Sequence, residues 1–355
     1  MPPEMSVIYP EVVMETSHTP INATLQVCVC AKTWLAEDIY GYELAPLSDT
    51  PLPRFEAGAH IDVHLPGGLV RQYSLYDLPD DRQRYRIGVL RDPQSRGGSV
   101  AFHDSVRAGD TLTISAPRNH FALHDGPDRS ILFAGGIGIT PILCMARQLT
   151  RENRPFEMHY CGRSLSRMAL VDEVRQIGDG TQAHVHADDG PTEQQLDARA
   201  AIGAPSGDRH LYVCGPTGFM DHILQAARTL GWDDAHLHRE YFAAAPVESS
   251  DEDAPFEVEI HSSGKVIEVA ADQSVAHALL DAGFDLPLSC EQGVCGTCMT
   301  TVLAGEPDHR DLYLTDDERA RATIASCRAA RVPNPRDWSS IFDAAARALL
   351  RRLTC

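Results

Sequence analysis

Three of the chain's ten cysteines fall inside eleven residues, "LSCEQGVCGTC" at 288–298. Thiols this close constrain a fold sharply, because they either pair as disulfides or converge on a metal, and both outcomes bend the loop around one point. The N-terminal "MPPEMSVIYPEVVMETSH" lacks a basic segment followed by an apolar one, and no run reaches the ~20 apolar residues of a membrane span. A cytoplasmic protein away from the membrane is therefore expected. In that reducing compartment cysteines serve as ligands, core residues or redox groups rather than disulfides.

Cys290, Cys295 and Cys298 have the spacing CxxxxCxxC, unlike the paired CxxC of zinc ribbons. It is the order of plant-type ferredoxins, in which a fourth cysteine lies downstream, and "ASCRA" supplies Cys327 with twenty-eight residues between it and Cys298. Soft thiolates stabilise ferric and ferrous iron alike, and the small residues Gly293, Gly296 and Thr297 leave backbone N–H groups free to reach cluster sulfurs. A structural zinc on the same four thiols is the alternative. The remaining cysteines have no ligand spacing and read as core residues, with Cys214 as a possible exception.

At 355 residues the chain is long enough for two or three cores. Short alternating or β-branched runs from "ATLQVCVCAKTW" to "TLTISAP", separated by Pro, Gly and Asp turns, predict an antiparallel sheet or small barrel over 22–124. From Arg129 the pattern changes. "SILFAGG", "FEMHYCG", "AHVHA" and "HLYVCGP" are buried-type strands alternating with helical segments, which predicts a parallel α/β domain over 125–243. A polar, acidic linker at 244–254 precedes a third module at 255–330 with a hairpin, a short helix and the cysteine loop.

Two further groups of motifs point to ligands. In "RQYSL" Arg71 and Tyr73 share a strand face, and "RGGSVAFHD" places Gly97, Gly98 and Ser99 where a helix N-terminus attracts phosphate. "ILFAGGIGITP" ends a strand in a glycine turn, with Gly136, Gly138, then Thr140 as expected N-cap and Pro141 at N1. "YVCGPTGF" puts Cys214, Gly215 and Pro216 at the carboxyl edge of the same sheet, where ligands of α/β folds bind. Each motif alone is also compatible with packing or an exposed strand.

These five motifs, in this order, resemble the phthalate dioxygenase reductase family, and the vanillate O-demethylase reductases within it, over about residues 22 to 330. The resemblance implies a ferredoxin-reductase-like antiparallel β-barrel holding FMN, a parallel α/β nucleotide-binding domain for NADH, and a β-grasp 2Fe-2S ferredoxin domain. It implies that Arg71 and Ser99 contact the FMN phosphate, with Gly97 and Gly98 shaping the turn. Tyr73 would lie along the flavin ring and Ser74 near its N5. Gly136, Gly138 and Thr140 would form the dinucleotide turn. Cys214, Gly215 and Pro216 would flank the nicotinamide, and Phe242 would sit near both rings. Cys290, Cys295, Cys298 and Cys327 would hold the cluster. FAD remains the alternative flavin, and Arg163 and Arg167 keep NADPH open as the alternative donor.

The implied activity is an oxidoreductase that joins a two-electron hydride donor to a one-electron cluster through a flavin. The implied partner is a separate terminal oxygenase of Rieske type acting on an aromatic or methoxylated acid. A haem monooxygenase partner and a non-catalytic zinc protein are the alternatives. The net charge of -19 argues against nucleic acid. It is concentrated: residues 251–320 carry sixteen acids against Lys265, Arg310 and Arg319, whereas 321–355 carry seven arginines against two aspartates. The acidic module is suited to steering toward a basic partner. After Cys327 the family's closing apolar strand is replaced by "RAARVPNPRDWSSIFDAAARALLRRLTC", which reads as an atypical basic tail at 331–355.

Overall fold

The computed structural model describes residues 24–65, 69–92, 97–126, 129–178, 180, 182–207, 209–242, 255–284, 286, 293–294, 298–302, 308–311, 314, 319 and 324–325. The basic tail lies outside the described residues.

The first unit is an antiparallel barrel built from β1 (Thr24–Ala36), β2 (Ile39–Pro46), β3 (Ala59–His64), β4 (Val70–Ser74), β5 (Tyr85–Leu90) and β6 (Thr111–Ser115). Their order is β4-β3-β6-β1-β2-β5, and a Leu75–Ile87 bridge joins the two ends into a closed wall. The inward residues Val27, Val29, Leu44, Ile61, Val63, Ile87 and Ile114 are fully buried. They follow the strand period of two, so the alternating runs in the sequence become one core. The short helix α1 (Gly98–Ser105) lies against β4 and β5, with Phe102 stacked edge-on to Tyr42 and Tyr73. A two-residue strand β7 (Arg118–Asn119) pairs with β3.

The second unit is a five-stranded parallel sheet of β8 (Ser130–Gly135), β9 (Phe156–Gly162), β10 (Ala183–Ala187), β11 (His210–Cys214) and β12 (Leu237–Glu240), in the order β10-β9-β8-β11-β12. Helices α2 (Ile139–Arg151) and α3 (Val171–Arg175) cover one face, and α4 (Ala198–Ile202) and α5 (Thr217–Thr229) the other. The order reverses between β8 and β11, so the glycine turn after β8 and the Cys214 loop after β11 flank the crevice where α/β sheets bind ligands.

Thr140 does not cap α2. A 3-10 turn at Gly136–Gly138 precedes the helix, Gly138 is the N-cap, and Thr140 sits inside the first turn at 2% exposure. Its hydroxyl donates back to the Ile137 carbonyl at 3.1 Å. The extra turn shifts the start of the helix by two residues because the glycines continue straight into helical geometry instead of an extended cap. Helix α5 stops before Gly231, whose φ of 90° is the left-handed conformation expected of a residue that ends a helix.

The barrel and sheet share one hydrophobic core, which includes Tyr76 and Phe121 from the first unit and Ile142, Met145 and Leu149 from α2. Polar contacts cross the same seam. The Cys144 thiol donates to the Asp77 carbonyl at 3.0 Å, Arg147 donates to the Tyr76 carbonyl at 2.6 Å, and Gln148 accepts from the Ala57 N–H at 3.2 Å.

The third unit contains the hairpin β13 (Phe256–Ile260) and β14 (Lys265–Val269), helix α6 (Val275–Asp281), and the short pair β15 (Thr300–Thr301) and β16 (Ile324–Ala325). The hairpin turn spans 261–264 and α6 is capped by the Ser274 hydroxyl. Val258, Ile260, Ile267, Val269, Val275, Ala278 and Leu279 form a separate core.

Gly58 has a φ of 94°, and a side chain there would collide with the Phe121 backbone. Gly58→Ala is expected to destabilise the protein by about 3 kcal/mol through left-handed strain plus that collision. A thermal-unfolding midpoint unchanged from wild type would contradict this.

Candidate functional site

Two cross-strand pairs, one from each of the first two units, meet at their seam. His60 on β3 is paired with Ser74 on β4, and Cys214 on β11 is paired with Glu240 on β12. The Ser74 hydroxyl donates to Glu240 Oε2 at 3.4 Å, and His60 Nδ1 lies 4.0 Å from Glu240 Oε1. Ser74 and Cys214, expected from sequence to work at one centre, are thus linked through Glu240, which sequence reasoning did not single out. Its only signal was position, two residues before Phe242 in "HREYF".

Burial raises the Glu240 pKa to about 8, and the Ser74 hydrogen bond offsets part of this. The Cys214 thiol is pushed well above its ordinary value by burial and by the neighbouring Glu240 charge, so it is a neutral thiol rather than a nucleophilic thiolate. The centre therefore holds protons close at hand without a fixed charge.

Around this buried centre lie the more accessible expected residues. Arg71 and Tyr73 alternate on β4 and share a face, with Tyr73 against Phe102 of α1. Gly97 is the N-cap of α1 with a φ of 88°, and a side chain on Gly98 would collide with the Arg71 guanidinium stem. Arg71 therefore lies directly across the first turn of α1, and glycine at 98 is what lets it do so. Ser99 accepts from the Asp92 N–H at 3.2 Å, which places its hydroxyl in the same loop.

Across the seam Gly136 is half-buried with a φ of 52° and open space where a side chain would stand. A side chain on Gly138 would strike the Cys214 carbonyl, so this glycine permits the two loops to touch. Pro216 is exposed and Phe242 is 41% exposed, whereas Cys214, Thr140 and Ser74 lie beneath the surface. Arg167 pairs with Glu37 at 3.8 Å and Asp38 at 3.5 Å, beside a backbone bond from Glu37 N–H to the Ser166 carbonyl. That arginine clasps the β1–β2 turn.

Of the four expected cluster ligands, Cys298 is described: its thiol is 9% exposed and packs with Ala276 and Leu286. Cys290, Cys295 and Cys327 lie outside the described residues. A soft, nearly buried thiol beside α6, with Gly293 in left-handed conformation in the same loop, suits a cluster wrapped by backbone N–H groups.

An antiparallel barrel packed on a parallel nucleotide-binding-type sheet, followed by a module with ferredoxin cysteine spacing, is the arrangement of an iron-sulfur flavoprotein oxidoreductase. Comparison with known proteins sharpens this. Residues 258–331 match the 2Fe-2S iron-sulfur cluster binding domain and residues 132–225 the oxidoreductase NAD-binding domain. The vanillate O-demethylase oxidoreductase of Pseudomonas sp. strain HR199 is 53% identical over 297 residues, covering 84% of this chain and 93% of that protein. The crystal structure of phthalate dioxygenase reductase, described as transferring electrons from pyridine nucleotides to a 2Fe-2S centre, aligns with a TM-score of 0.67 at 37% identity over 88% of this chain and 96% of its own. An intact type IV self-sufficient cytochrome P450 monooxygenase aligns with a TM-score of 0.79 at 36% identity over 90% of this chain and 42% of its own. The chain belongs to the phthalate dioxygenase reductase family, whose members include the vanillate O-demethylase oxidoreductases.

The raised pKa of Glu240 has a consequence for stability. Because the folded state keeps this proton up to about pH 8, against an ordinary 4.5, the associated stability is fully present below pH 4.5 and is lost as pH rises through 8. Glu240→Gln is expected to flatten that decline and to exceed wild type at pH 9 by up to about 5 kcal/mol. Denaturant titrations at pH 5 and pH 9 measure the difference, and parallel losses in both proteins would refute it.

Proposed function

We propose that this chain is the reductase of a vanillate-type O-demethylase system, drawing electrons from NADH and delivering them singly to a separate Rieske-type terminal oxygenase that acts on a methoxylated aromatic acid. The observation that carries the proposal is the meeting of the His60–Ser74 and Cys214–Glu240 pairs at the seam between a barrel and a nucleotide-binding sheet. Proposed limits are 22–124 for the flavin barrel, 125–243 for the NADH domain, 244–254 for the linker, 255–330 for the ferredoxin domain and 331–355 for the tail. Among the described residues no helix is long and apolar enough to cross a membrane, and we assign the protein to the cytoplasm.

Bound nicotinamide, FMN and cluster supply hydride transfer followed by one-electron steps. The chain's own residues bind, orient and shield. Arg71, held over Gly98, and Ser99 at the first turn of α1 are assigned to the flavin phosphate, with Gly97 opening the turn. Tyr73 is assigned to the ring face and Ser74 to its reactive edge. Gly136, Gly138 and Thr140 are assigned to the dinucleotide turn, Thr140 through its place in the helix rather than through its internally bonded hydroxyl. Cys214, Gly215 and Pro216 are assigned to the nicotinamide side, with Phe242 at the exposed rim near both rings.

Cys290, Cys295, Cys298 and Cys327 are assigned as the cluster ligands. The acidic module around them, with sixteen acids over 251–320, is assigned to docking with a basic patch on the oxygenase. The engagement of Arg167 by Glu37 and Asp38 supports NADH over NADPH, because a cation already paired has less to offer a 2′-phosphate.

Purified protein is expected to show flavin and iron-sulfur absorbance, and to support O-demethylation of vanillate when combined with a vanillate O-demethylase oxygenase. Colourless protein would overturn the proposal. Cys298→Ser is expected to keep NADH-dependent flavin reduction while losing cluster reduction by at least about a hundredfold, since a missing thiolate disrupts the cluster that takes the electrons from the flavin. Stopped-flow absorbance separates the two steps. Gly98→Ala is expected to weaken FMN retention about tenfold, as the new methyl displaces Arg71; fluorescence titration of the flavin-free protein measures it.

A further inference from the structure

His60 is buried, with its side chain 5% exposed, and no role has been assigned to it above. Its ring has a polar neighbour on each side, the nearer of them Gln72. Nε2 lies 3.3 Å from Gln72 Nε2, and Nδ1 lies 4.0 Å from Glu240 Oε1. Gln72 Nε2 also donates to Asp62 Oδ1 at 3.0 Å. Arg118 pairs with the other oxygen of Asp62, and a carboxylate oxygen only accepts. The Gln72 atom facing it is therefore the amide nitrogen, and an amide nitrogen has no lone pair to offer His60. His60 Nε2 must be the acceptor, and the proton of the neutral ring resides on Nδ1, the nitrogen that faces Glu240.

We infer that His60 is a positioning residue for Glu240: the Asp62–Gln72 pair fixes its tautomer, and the resulting Nδ1–H steadies one carboxylate oxygen while the Ser74 hydroxyl takes the other. The inference rests on the proposed function for the link between Glu240 and the flavin, but the tautomer follows from the chain's own hydrogen bonds. Burial, together with the nearby Arg118 and His120, disfavours protonation of His60, so the ring acts as a dipole rather than a charge. Among the described residues, Cys214 on the paired strand β11 is the other titratable group beside Glu240, and His238, two residues earlier on β12, is turned to His210 and Tyr212. Cys214 is held as a thiol, and His238 is kept neutral by burial and by His210, His124 and His236. An N–H directed at the carboxylate favours its ionised form, so removing it makes Glu240 hold its proton more tightly.

The test uses the full-length protein with its cofactors bound. Nitrogen-15 NMR of histidine-labelled protein, with the His60 signal assigned by its loss in His60→Asn, is expected to show a protonated Nδ1 and an unprotonated Nε2. Infrared difference spectra across a pH series, with the Glu240 carboxyl band assigned by its loss in Glu240→Gln, then follow the acidity of Glu240. His60→Leu is expected to lower its acid dissociation constant about tenfold, a shift of one pH unit. His60→Asn, whose amide nitrogen replaces Nδ1–H, is expected to restore at least half of that shift. Gln72→Leu keeps the histidine and is expected to reduce the Nδ1–H population and move Glu240 in the same direction as His60→Leu, so a misfolded His60→Leu does not remove the test. A wild-type His60 protonated on Nε2, or a Glu240 midpoint unmoved in both leucine variants, overturns the inference. NADH-driven reduction of flavin and cluster in the wild type is recorded separately; its failure would strike the proposed function and leave the histidine result standing.

Discussion

The packing of α2 against the barrel is the interaction on which the site depends. Ile142, Met145 and Leu149 enter the same core as Tyr76 and Phe121, while Cys144, Arg147 and Gln148 bond to barrel backbone along the same helix. Apolar burial gives this seam its strength, and the polar bonds fix its register, because a slip of one residue would leave buried donors without acceptors. The register matters because Ser74 and Glu240 come from opposite sides of the seam and meet within 3.4 Å. Neither unit alone contains the centre.

Glycine performs the complementary task of letting chains approach. Gly138 allows α2 to touch the Cys214 carbonyl, and Gly98 allows Arg71 to cross the first turn of α1. Both positions are places where a methyl group would push a functional residue aside. The chemistry of the centre is then set by exclusion of water, which leaves Glu240 protonated where an exposed glutamate would be ionised and holds Cys214 more firmly as a thiol.

Much of this was legible in the sequence because strands and glycine turns carry local signals. "FEMHYCG" is a strand with the expected limits, "SILFAGG" is one that ends a residue early at Gly135, and Arg71 and Tyr73 share a face as alternation requires. The strand Ile39–Pro46 was not singled out because "IYGYELAP" mixes glycine and acid into its alternation. The Thr140 cap failed for a different reason: glycines are silent about whether a turn is extended or helical, and here they wind a 3-10 turn. Glu240 and His60 were hidden because their meaning lies in a contact between two units, Ser74 with Glu240, whose residues are 166 apart in sequence. A buried acid next to a proposed cofactor looks, in one dimension, like any surface glutamate.

The hairpin β13–β14 and α6 close around a core that draws no residue from the barrel or the parallel sheet, among the described residues. A core that is separate among the described residues gives damage inside it no shared packing there through which to reach the flavin and nicotinamide units. Substitutions that tune the electron outlet to a different acceptor can therefore accumulate in this module without retesting the fold of the inlet. The same oxidising end can in this way be paired, over evolutionary time, with many different exits.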